Sequence, residues 1–442
     1  MVSSRERSSL SSIRRPAGRP FRRRGFLHLA AGLAASTALS ALGASCGTLV
    51  AGTPPSIQGE VLVWAPPLSA DDSAYWSPLS ESLRQAHPRL DLKVETVPWA
   101  GRSQRLLTAT ASGGVPDVAY VSRDLIPRLA DDSSIVAVDG LLAPELRDDL
   151  HPRIRAQAPY RERFWGVPAV VSIHLPFVNI NLASAAGLGN DASPSDWTSL
   201  TDWGRRLTIP PDRWGLAHRW SSDTAAHTLI GWIWQAGGEV VEEPNGRQAL
   251  FNSDAGVEAL AYVKSLFDAG YVQIADKYGQ GAEFGSGRIG VLLWGSVGTP
   301  SQLASTTPGL AYTVGGAIAG RRRVATGMLA SYAILSAAPN RPGAEALARL
   351  LARPQSLARI ARVTGYLPPV RSLSAESLWP GDVARARMLA QIDHIRLDIQ
   401  HPYARTLSRI LAEEGQAALI DRKTPAEALA NAARRFAAEV SR

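Results

Sequence analysis

Hydrophobic and polar positions follow a regular order along the first part of the chain. Short apolar or alternating runs, which are typical of strands, take turns with amphipathic segments that end at proline or glycine. The predicted elements are strands over 60–64, 90–97 and 117–121 and helices over 77–87 and 102–111. This β-α-β-α-β order predicts an α/β fold in which mostly parallel sheets are flanked by helices.

Further elements follow towards the C-terminus. Helices are predicted over 257–267 and 341–352, and an uninterrupted apolar strand over 289–294. The last helix has the clearest start, because Thr424 can cap it, Pro425 occupies its first position and Glu427 completes a capping box. Helices dominate the last hundred residues.

Motifs that carry catalysis or bind cofactors are not prominent. Gly285, Gly287 and Gly290 have dinucleotide-binding spacing, but they precede a strand instead of following one, so a turn is predicted. The eight histidines lack metal-ligand spacing, and we expect neither a metal nor a cofactor. The acidic pairs Asp131-Asp132 and Glu242-Glu243 are expected in solvated loops.

Composition changes the picture at the N-terminus. The chain has 442 residues and a net charge of +8, and eight arginines stand against one acid between Met1 and Ser45. The rest of the chain is therefore nearly neutral, and its charge does not favour binding to nucleic acid. A single cysteine excludes an internal disulfide and any multi-cysteine metal site.

Residues 1–45 are predicted to be an export signal. An arginine-rich head precedes an uncharged, weakly apolar run over 25–45, and Arg23-Arg24 resembles the twin-arginine pattern. Cys46 follows Gly43-Ala-Ser, which resembles a lipoprotein cleavage box and predicts a lipid anchor. The alternative is an incidental cysteine. Residues 46–57 are predicted to be a tether.

Tryptophan is abundant, with twelve copies. Five of them occur where a predicted strand meets a loop, the place at which α/β sheets bind ligands: Trp64, Trp99, Trp165, Trp220 and Trp294. Their flat apolar faces suit the CH-rich side of a sugar or polyol, although tryptophan also packs cores. Trp197/Trp203 and Trp232/Trp234 have helical spacing and are expected in the core.

Nine short motifs in order resemble the family 1 extracellular solute-binding proteins of ABC importers, the maltose and glycerol-phosphate type. They cover residues 58–440 and include Leu62-Val-Trp64, Val97-Pro-Trp99, Gly113-Gly-Val-Pro-Asp117, Trp165-Gly-Val-Pro168, Val178-Asn179, Gln235-Ala-Gly-Gly238, Phe284-Gly-Ser-Gly287, Gly365-Tyr-Leu-Pro368 and Thr424-Pro-Ala-Glu-Ala-Leu429. The resemblance implies two lobes joined by three crossings, with the ligand in a cleft that closes by hinge motion. It places lobe one at 58–178 plus 320–372 and lobe two at 179–319 plus 373–442.

The resemblance also implies a role and a set of ligand-binding residues. The role is capture of a sugar, amino sugar or glycerol-phosphate compound, without catalysis, by a monomer at the outer face of the membrane that delivers it to ABC permease subunits. The predicted ligand-binding residues are Trp64, Trp99, Ser122, Ser172, Trp220, His227, Trp294, Gly327, Tyr366 and Arg405. Tyr366 and Arg405 match the glycerol-phosphate branch, where the arginine meets the phosphate.

Two other functions stay open at this point. An exported, lipid-anchored glycosidase would also use surface tryptophans, but it needs two catalytic carboxylates in one cleft. A scaffold of the cell envelope would have no small ligand at all.

Overall fold

A computed structural model describes residues 57–189, 191–220, 225–275 and 280–441. The predicted export signal at 1–45, the predicted lipid site at Cys46 and nearly all of the predicted tether lie outside these residues. Among the helices of the described part, none combines the length and the apolar character that crossing a membrane requires.

The strands of the described part form two sheets. In chain order they are β1 (Gln58–Ala65), β2 (Arg89–Thr96), β3 (Val118–Ser122), β4 (Val167–Ile173), β5 (Leu175–Asn179), β6 (Trp214–Arg219), β7 (Val272–Ala275), β8 (Ile289–Gly295), β9 (Tyr312–Val314), β10 (Ala325–Ile334) and β11 (Ile395–Leu397). The first sheet has the order β11-β10-β3-β1-β2, with β4 also paired to β10, and the second has the order β7-β6-β8-β5-β9.

Helices surround the sheets. They are α1 (Ser73–Ala86), α2 (Arg102–Ser112), α3 (Ile126–Asp131), α4 (Pro144–Asp149), α5 (Pro152–Gln157), α6 (Ile180–Ala185), α7 (Trp197–Leu207), α8 (Ala225–Gln235), α9 (Asp254–Asp268), α10 (Gln280–Gly285), α11 (Thr299–Thr306), α12 (Arg341–Leu351), α13 (Pro354–Thr364), α14 (Ala375–Leu378), α15 (Val383–Ala390), α16 (Ala404–Leu419) and α17 (Pro425–Val440). The predicted two-lobed α/β fold is confirmed.

Both sheets are mixed, whereas the sequence predicts mostly parallel pairing. β1 runs parallel to β2 and β3, and β6 runs parallel to β7 and β8. β10 runs antiparallel to β3 and β4, and β5 runs antiparallel to β8 and β9. The difference arises because β10 enters the first sheet from the second one, and nothing in a local sequence pattern sets that direction.

The elements predicted from periodicity are present, and the largest differences are at two helix starts: α9 begins at Asp254 instead of Val257, and α1 begins four residues early. α1 begins at Ser73 and contains Pro78, whereas the sequence predicts a start at Ser77. Tyr75 and Trp76 are buried on the face that also buries Leu79. Their burial outweighs the single hydrogen bond that Pro78 cannot donate, so the helix gains an extra turn.

Two local predictions depend on backbone chemistry and are confirmed. The Glu427 amide donates to the Thr424 hydroxyl oxygen, and the Thr424 amide donates to the Glu427 carboxylate. These two hydrogen bonds form the capping box of α17. Gly287 has a φ of +79° in the turn between α10 and β8, so the glycine motif does not open a helix.

The chain passes between the two sheets three times. It leaves the first sheet at His174, between β4 and β5, and returns over residues 315–324, between β9 and β10. The third passage runs from β11 over residues 398–403 into α16, which packs on α8, α9 and α17. β11 pairs with β10 of the first sheet although it falls within the range predicted for lobe two. The lobe limits themselves stay a prediction.

A buried cation ties the third passage to both sides. The Arg123 side chain is 4% exposed and donates to the carbonyl oxygens of Gln157 and Asp398. It also donates to the Glu243 carboxylate at 3.0 Å and to the Gln400 side chain at 3.3 Å. Because a buried guanidinium is stable only with such partners, this network holds the end of β3, the passage and the Glu243 loop together.

The four acids of the two pairs are exposed, as predicted, but one member of each pair also makes specific contacts. Glu243 accepts from Arg123 and from the Gln400 amide at 2.8 Å. Asp131 accepts from the Tyr160 hydroxyl at 2.9 Å. These contacts join residues distant in sequence, which explains why adjacent acids alone did not reveal them.

Gly327 lies where β10 passes β11 without room for a side chain. A Cβ atom there would be 2.2 Å from Cδ1 of Ile395 and 2.8 Å from the carbonyl oxygen of Ser172. The residue is therefore required by packing.

We expect Gly327→Ala to lower the free energy of unfolding by about 1–3 kcal/mol, because the added methyl group must displace Ile395 or the backbone. Urea denaturation followed by tryptophan fluorescence measures the change. Gly140→Ala is the control, since its Cβ would meet no atom within 4 Å. Equal stability of the two variants would contradict the packing argument.

We expect Glu243→Ala to lower the free energy of unfolding by about 1–3 kcal/mol, because the buried Arg123 guanidinium loses its carboxylate partner. The control is Glu242→Ala at the adjacent, exposed position, which should stay within about 0.5 kcal/mol of the wild type. The same denaturation experiment applies. A loss no larger than that of the control would show that Arg123 does not depend on this contact.

Candidate functional site

A cleft of about 470 Å³ lies between elements of the first sheet and the helices α8 and α16. Its walls come from the start of α2, the end of β3, α8, β10, and the third passage with the start of α16. The lining residues are Trp99, Ala100, Gly101, Arg102, Ser103, Gln104, Ser122, Asp124, His227, Ile230, Trp234, Thr326, Met328, Asp398, Ile399, Ala404, Arg405, Ser408 and Arg409. Such a cavity, partly apolar and with convergent polar groups, suits a small ligand.

Four of the predicted ligand-binding residues line this cleft: Trp99, Ser122, His227 and Arg405. Trp99 follows β2 and is 36% exposed, and its indole N–H donates to the Pro67 carbonyl oxygen at 2.9 Å. That bond orients the ring, Arg102 lies over it at 4.8 Å, and the part that stays exposed offers the apolar surface that stacking on a sugar requires.

Arg405 reaches across the cleft. It is the second residue of α16, a helix that packs on α8, α9 and α17. Its Nε lies 3.3 Å from a carboxylate oxygen of Asp124, beyond the end of β3. Its Nη2 donates to the Ser103 hydroxyl of α2 at 2.7 Å. The Ser122 hydroxyl bonds to the same Asp124 carboxylate. Groups from both sides of the cleft therefore meet in one polar network.

A second contact between a basic side chain and a carboxylate involves α8. His227 of α8 places Nδ1 3.1 Å from a carboxylate oxygen of Asp398. The Asp398 amide donates to the Gly327 carbonyl oxygen at 3.0 Å, and its own carbonyl accepts from Arg123. The passage that joins the two sheets thus presents a carboxylate to the cleft.

Tyr366 and Trp64 lie beside the cleft. Trp64 lines a small adjoining recess with Arg102 and Tyr120. Tyr366 is partly buried, and burial raises the pKa of its phenol to about 12, while the nearby Arg102 guanidinium opposes that shift. Both residues stand behind the cleft surface, next to side chains that line it.

The other four predicted residues do not line the cleft. Trp220 and Trp294 are buried, at 5% and 7% exposure, because small neighbours leave room for their rings in the core. Cβ atoms built at Gly415 and Gly231 would lie 2.8 Å from Trp220 and 2.5 Å from Trp294, respectively. Ser172 is buried in β4 opposite Met328, and Gly327 is confined by Ile395. Trp220 and Trp294 stand at strand ends as predicted, but their rings face neighbouring elements.

Several cleft residues were not predicted from the sequence. Arg102, Asp124 and Asp398 carry charges into the cleft, and Trp234, which the sequence assigns to the core, lines it while Arg396 stacks on its ring at 4.3 Å. The position of Arg102 directly after the Trp99 loop was a usable signal. Nothing local marks Asp398, which reaches the cleft through long-range folding.

The cleft offers binding chemistry. Aromatic surface, two carboxylates and three guanidiniums surround it, and each of the two carboxylates contacts a basic side chain. Among the described residues, no cluster of three or more histidine, cysteine, aspartate or glutamate side chains could hold a metal ion.

Comparisons with known proteins agree with this geometry. Residues 65–358 match the profile of the family described as bacterial extracellular solute-binding protein. A binding protein of Brucella abortus (strain 2308) is 21% identical over 267 residues, which make up 59% of this chain. The chain spans 64% of the length of that relative.

Solved structures share the fold. The cyclic α-maltosyl-1,6-maltose binding protein of Arthrobacter globiformis has a TM-score of 0.76 and 19% identity, covering 87% of this chain and 99% of that one. UgpB of Mycobacterium tuberculosis, in complex with glycerophosphocholine, has a TM-score of 0.74 and 20% identity, with the same coverage. Since the family profile matches more than half of the chain, this protein belongs to the bacterial extracellular solute-binding proteins.

Proposed function

We propose that the protein captures a small polar solute in this cleft and delivers it to the permease of an ABC importer. The observation that carries the proposal is the position of Arg405, which extends from α16 to Asp124 and Ser103 on the facing wall. A ligand that contacts both walls stabilises a closed form that an empty cleft does not favour, and this differential affinity drives closure.

The proposed ligands are a sugar, an amino sugar, or a glycerol-phosphate compound such as a glycerophosphodiester. Trp99 supplies a stacking surface, and Ser122, His227 and Arg405 supply polar contacts. Tyr366 and Trp64 support this surface from behind. The names of two structural neighbours, which refer to a cyclic maltosyl-maltose and to glycerophosphocholine, favour the same classes of compound.

The proposed function does not include turnover. A glycosidase needs one carboxylic acid and one carboxylate, both free to act on the scissile bond. Here Asp124 is engaged by Arg405 and Ser122, and Asp398 by His227. Incubation with a labelled disaccharide tests this point, and release of labelled monosaccharide would instead support the enzyme.

We further propose that the protein works as a monomer at the outer face of the cytoplasmic membrane, exported by the signal at residues 1–45. In this proposal Cys46 becomes acylated and the following residues tether the folded part. Two acyl chains hold a protein at a membrane far more firmly than one.

We expect some members of a panel of sugars, amino sugars and glycerophosphodiesters to raise the thermal unfolding temperature, because ligand binding adds RT ln(1 + [L]/Kd) to stability. For a ligand found in this way, Trp99→Ala should weaken binding about tenfold by calorimetry, since stacking is lost. Arg405→Ala should also weaken it, since the ligand loses a contact from the second wall.

Trp214→Ala is the matched control, because that ring lies at the start of β6 beside Arg288, 5.6 Å away, and does not line the cleft. Its affinity should equal that of the wild type. No thermal shift with any compound would support the scaffold instead, and equal affinities in all variants would remove the cleft from the binding site.

We expect Cys46→Ala to move the protein from the membrane fraction to the soluble fraction of the producing cells, because the thiol that carries the acyl chains is removed. Fractionation followed by immunoblotting measures the partition, with Ser45→Ala as a neighbouring control that keeps the cysteine. Unchanged partition of the Cys46 variant would exclude lipid attachment at this residue.

A further inference from the structure

Arg102 differs from the other charged residues of the cleft in its contacts. It begins α2 immediately after the Trp99 loop and lines both the cleft and the adjoining recess. Its guanidinium carbon lies 4.8 Å from the centre of the Trp99 ring and 5.9 Å from that of Tyr120. Its Nη1 donates to the Trp99 carbonyl oxygen at 3.2 Å.

The other charged side chains of the cleft each contact an acidic or a basic side chain. Arg405 contacts Asp124, and Asp398 contacts His227. Arg409 lies 3.1 Å from Glu413 of its own helix. Arg102 contacts no carboxylate among the described residues, so its positive charge is left without a counter-charge inside a partly enclosed cavity.

The geometry of Arg102 leaves its donors available. The two rings hold the guanidinium plane by cation–π contact, and the Nε and Nη2 groups have no acceptor in the described part of the chain. The Tyr120 hydroxyl beside it is buried and likewise has no hydrogen-bond partner among the described residues. A fixed planar fork with free edge donors matches a carboxylate or phosphate in two parallel hydrogen bonds.

We propose that Arg102 determines specificity for an acidic group, a carboxylate or a phosphate ester, carried by a sugar or polyol ligand. This inference rests on the proposed function and narrows its ligand class, which includes neutral and amino sugars, to acidic sugars and polyols. Charge-assisted hydrogen bonds are stronger than neutral ones, and neither carboxylate of the cleft, Asp124 or Asp398, contacts Arg102 in the described part of the chain. The acidic ligand therefore supplies the missing counter-charge.

The test uses pairs of compounds that differ only in charge. The probes are glucuronate against glucuronamide, galacturonate against galacturonamide, and glycerol 3-phosphate against glycerol, measured with the full folded chain by thermal shift and calorimetry. We expect the acidic member of at least one pair to bind about tenfold or more tightly. The uronates and the phosphate distinguish a carboxylate from a phosphate ester.

Substitutions in α2 test whether Arg102 causes the preference for the acidic compound of each pair. Arg102→Gln should abolish the difference within a pair, and Arg102→Lys should keep only part of it, because lysine retains the charge without the planar fork. Arg105→Gln is the matched control: Arg105 also stacks on a tryptophan, Trp64, at 4.1 Å, but it pairs with Glu95 and does not line the cleft. Melting temperatures without ligand report whether each variant folds.

The outcomes separate this inference from the function on which it rests. The role of Arg102 would be overturned if the neutral compound of a pair bound more tightly than the acidic one. It would also be overturned if Arg102→Gln still bound the acidic compound more tightly. Neither result would contradict the proposed capture of a solute. Should Arg102→Gln not fold, an unchanged preference in Arg102→Lys would overturn the bidentate contact. If no compound of any pair and no neutral or amino sugar gave a thermal shift or a calorimetric signal, both the role of Arg102 and the proposed capture of a solute would be overturned.

Discussion

The buried guanidinium of Arg123 is the constraint on which the geometry of the cleft depends. A cation that is 4% exposed must find acceptors within the protein, and here they come from α5, from the passage after β11 and from the Glu243 loop. If any of these acceptors is lost, an N–H group of Arg123 stays buried without a hydrogen bond, and this destabilises the folded state. The network therefore restricts the relative positions of the first sheet and the elements around the second one.

The charges of the cleft follow from this arrangement. Because the passage is held by Arg123, Asp398 is presented to His227, and α16 begins close enough for Arg405 to reach Asp124. These contacts are made by side chains alone, and each pairs a partly exposed basic group with a largely buried carboxylate. Such contacts are compatible with the proposed hinge closure, because they can be exchanged for contacts to a ligand.

The tryptophans illustrate how packing divides residues of one type between two roles. Trp99, Trp220 and Trp294 all occur at strand ends, and only Trp99 lines the cleft. Trp220 and Trp294 are drawn into the core because Gly415 and Gly231 leave space for their rings. Burial of a ring is favourable wherever space exists, so the size of the facing residue, on a helix distant in sequence, decides which aromatic surface stays available.

The sequence by itself determined the local elements and the family. Periodicity located strands such as β8, the capping box located α17, and nine ordered motifs indicated the two-lobed solute-binding fold. These features depend on neighbours within a few residues, or on the order of short segments, which a single chain displays. The tertiary structure alone decided that Asp398 lines the cleft, that Glu243 contacts Arg123, and that Gly327 serves packing. Each of those contacts joins segments far apart along the chain, and the direction of a side chain across such a distance follows from packing, which local pattern does not encode.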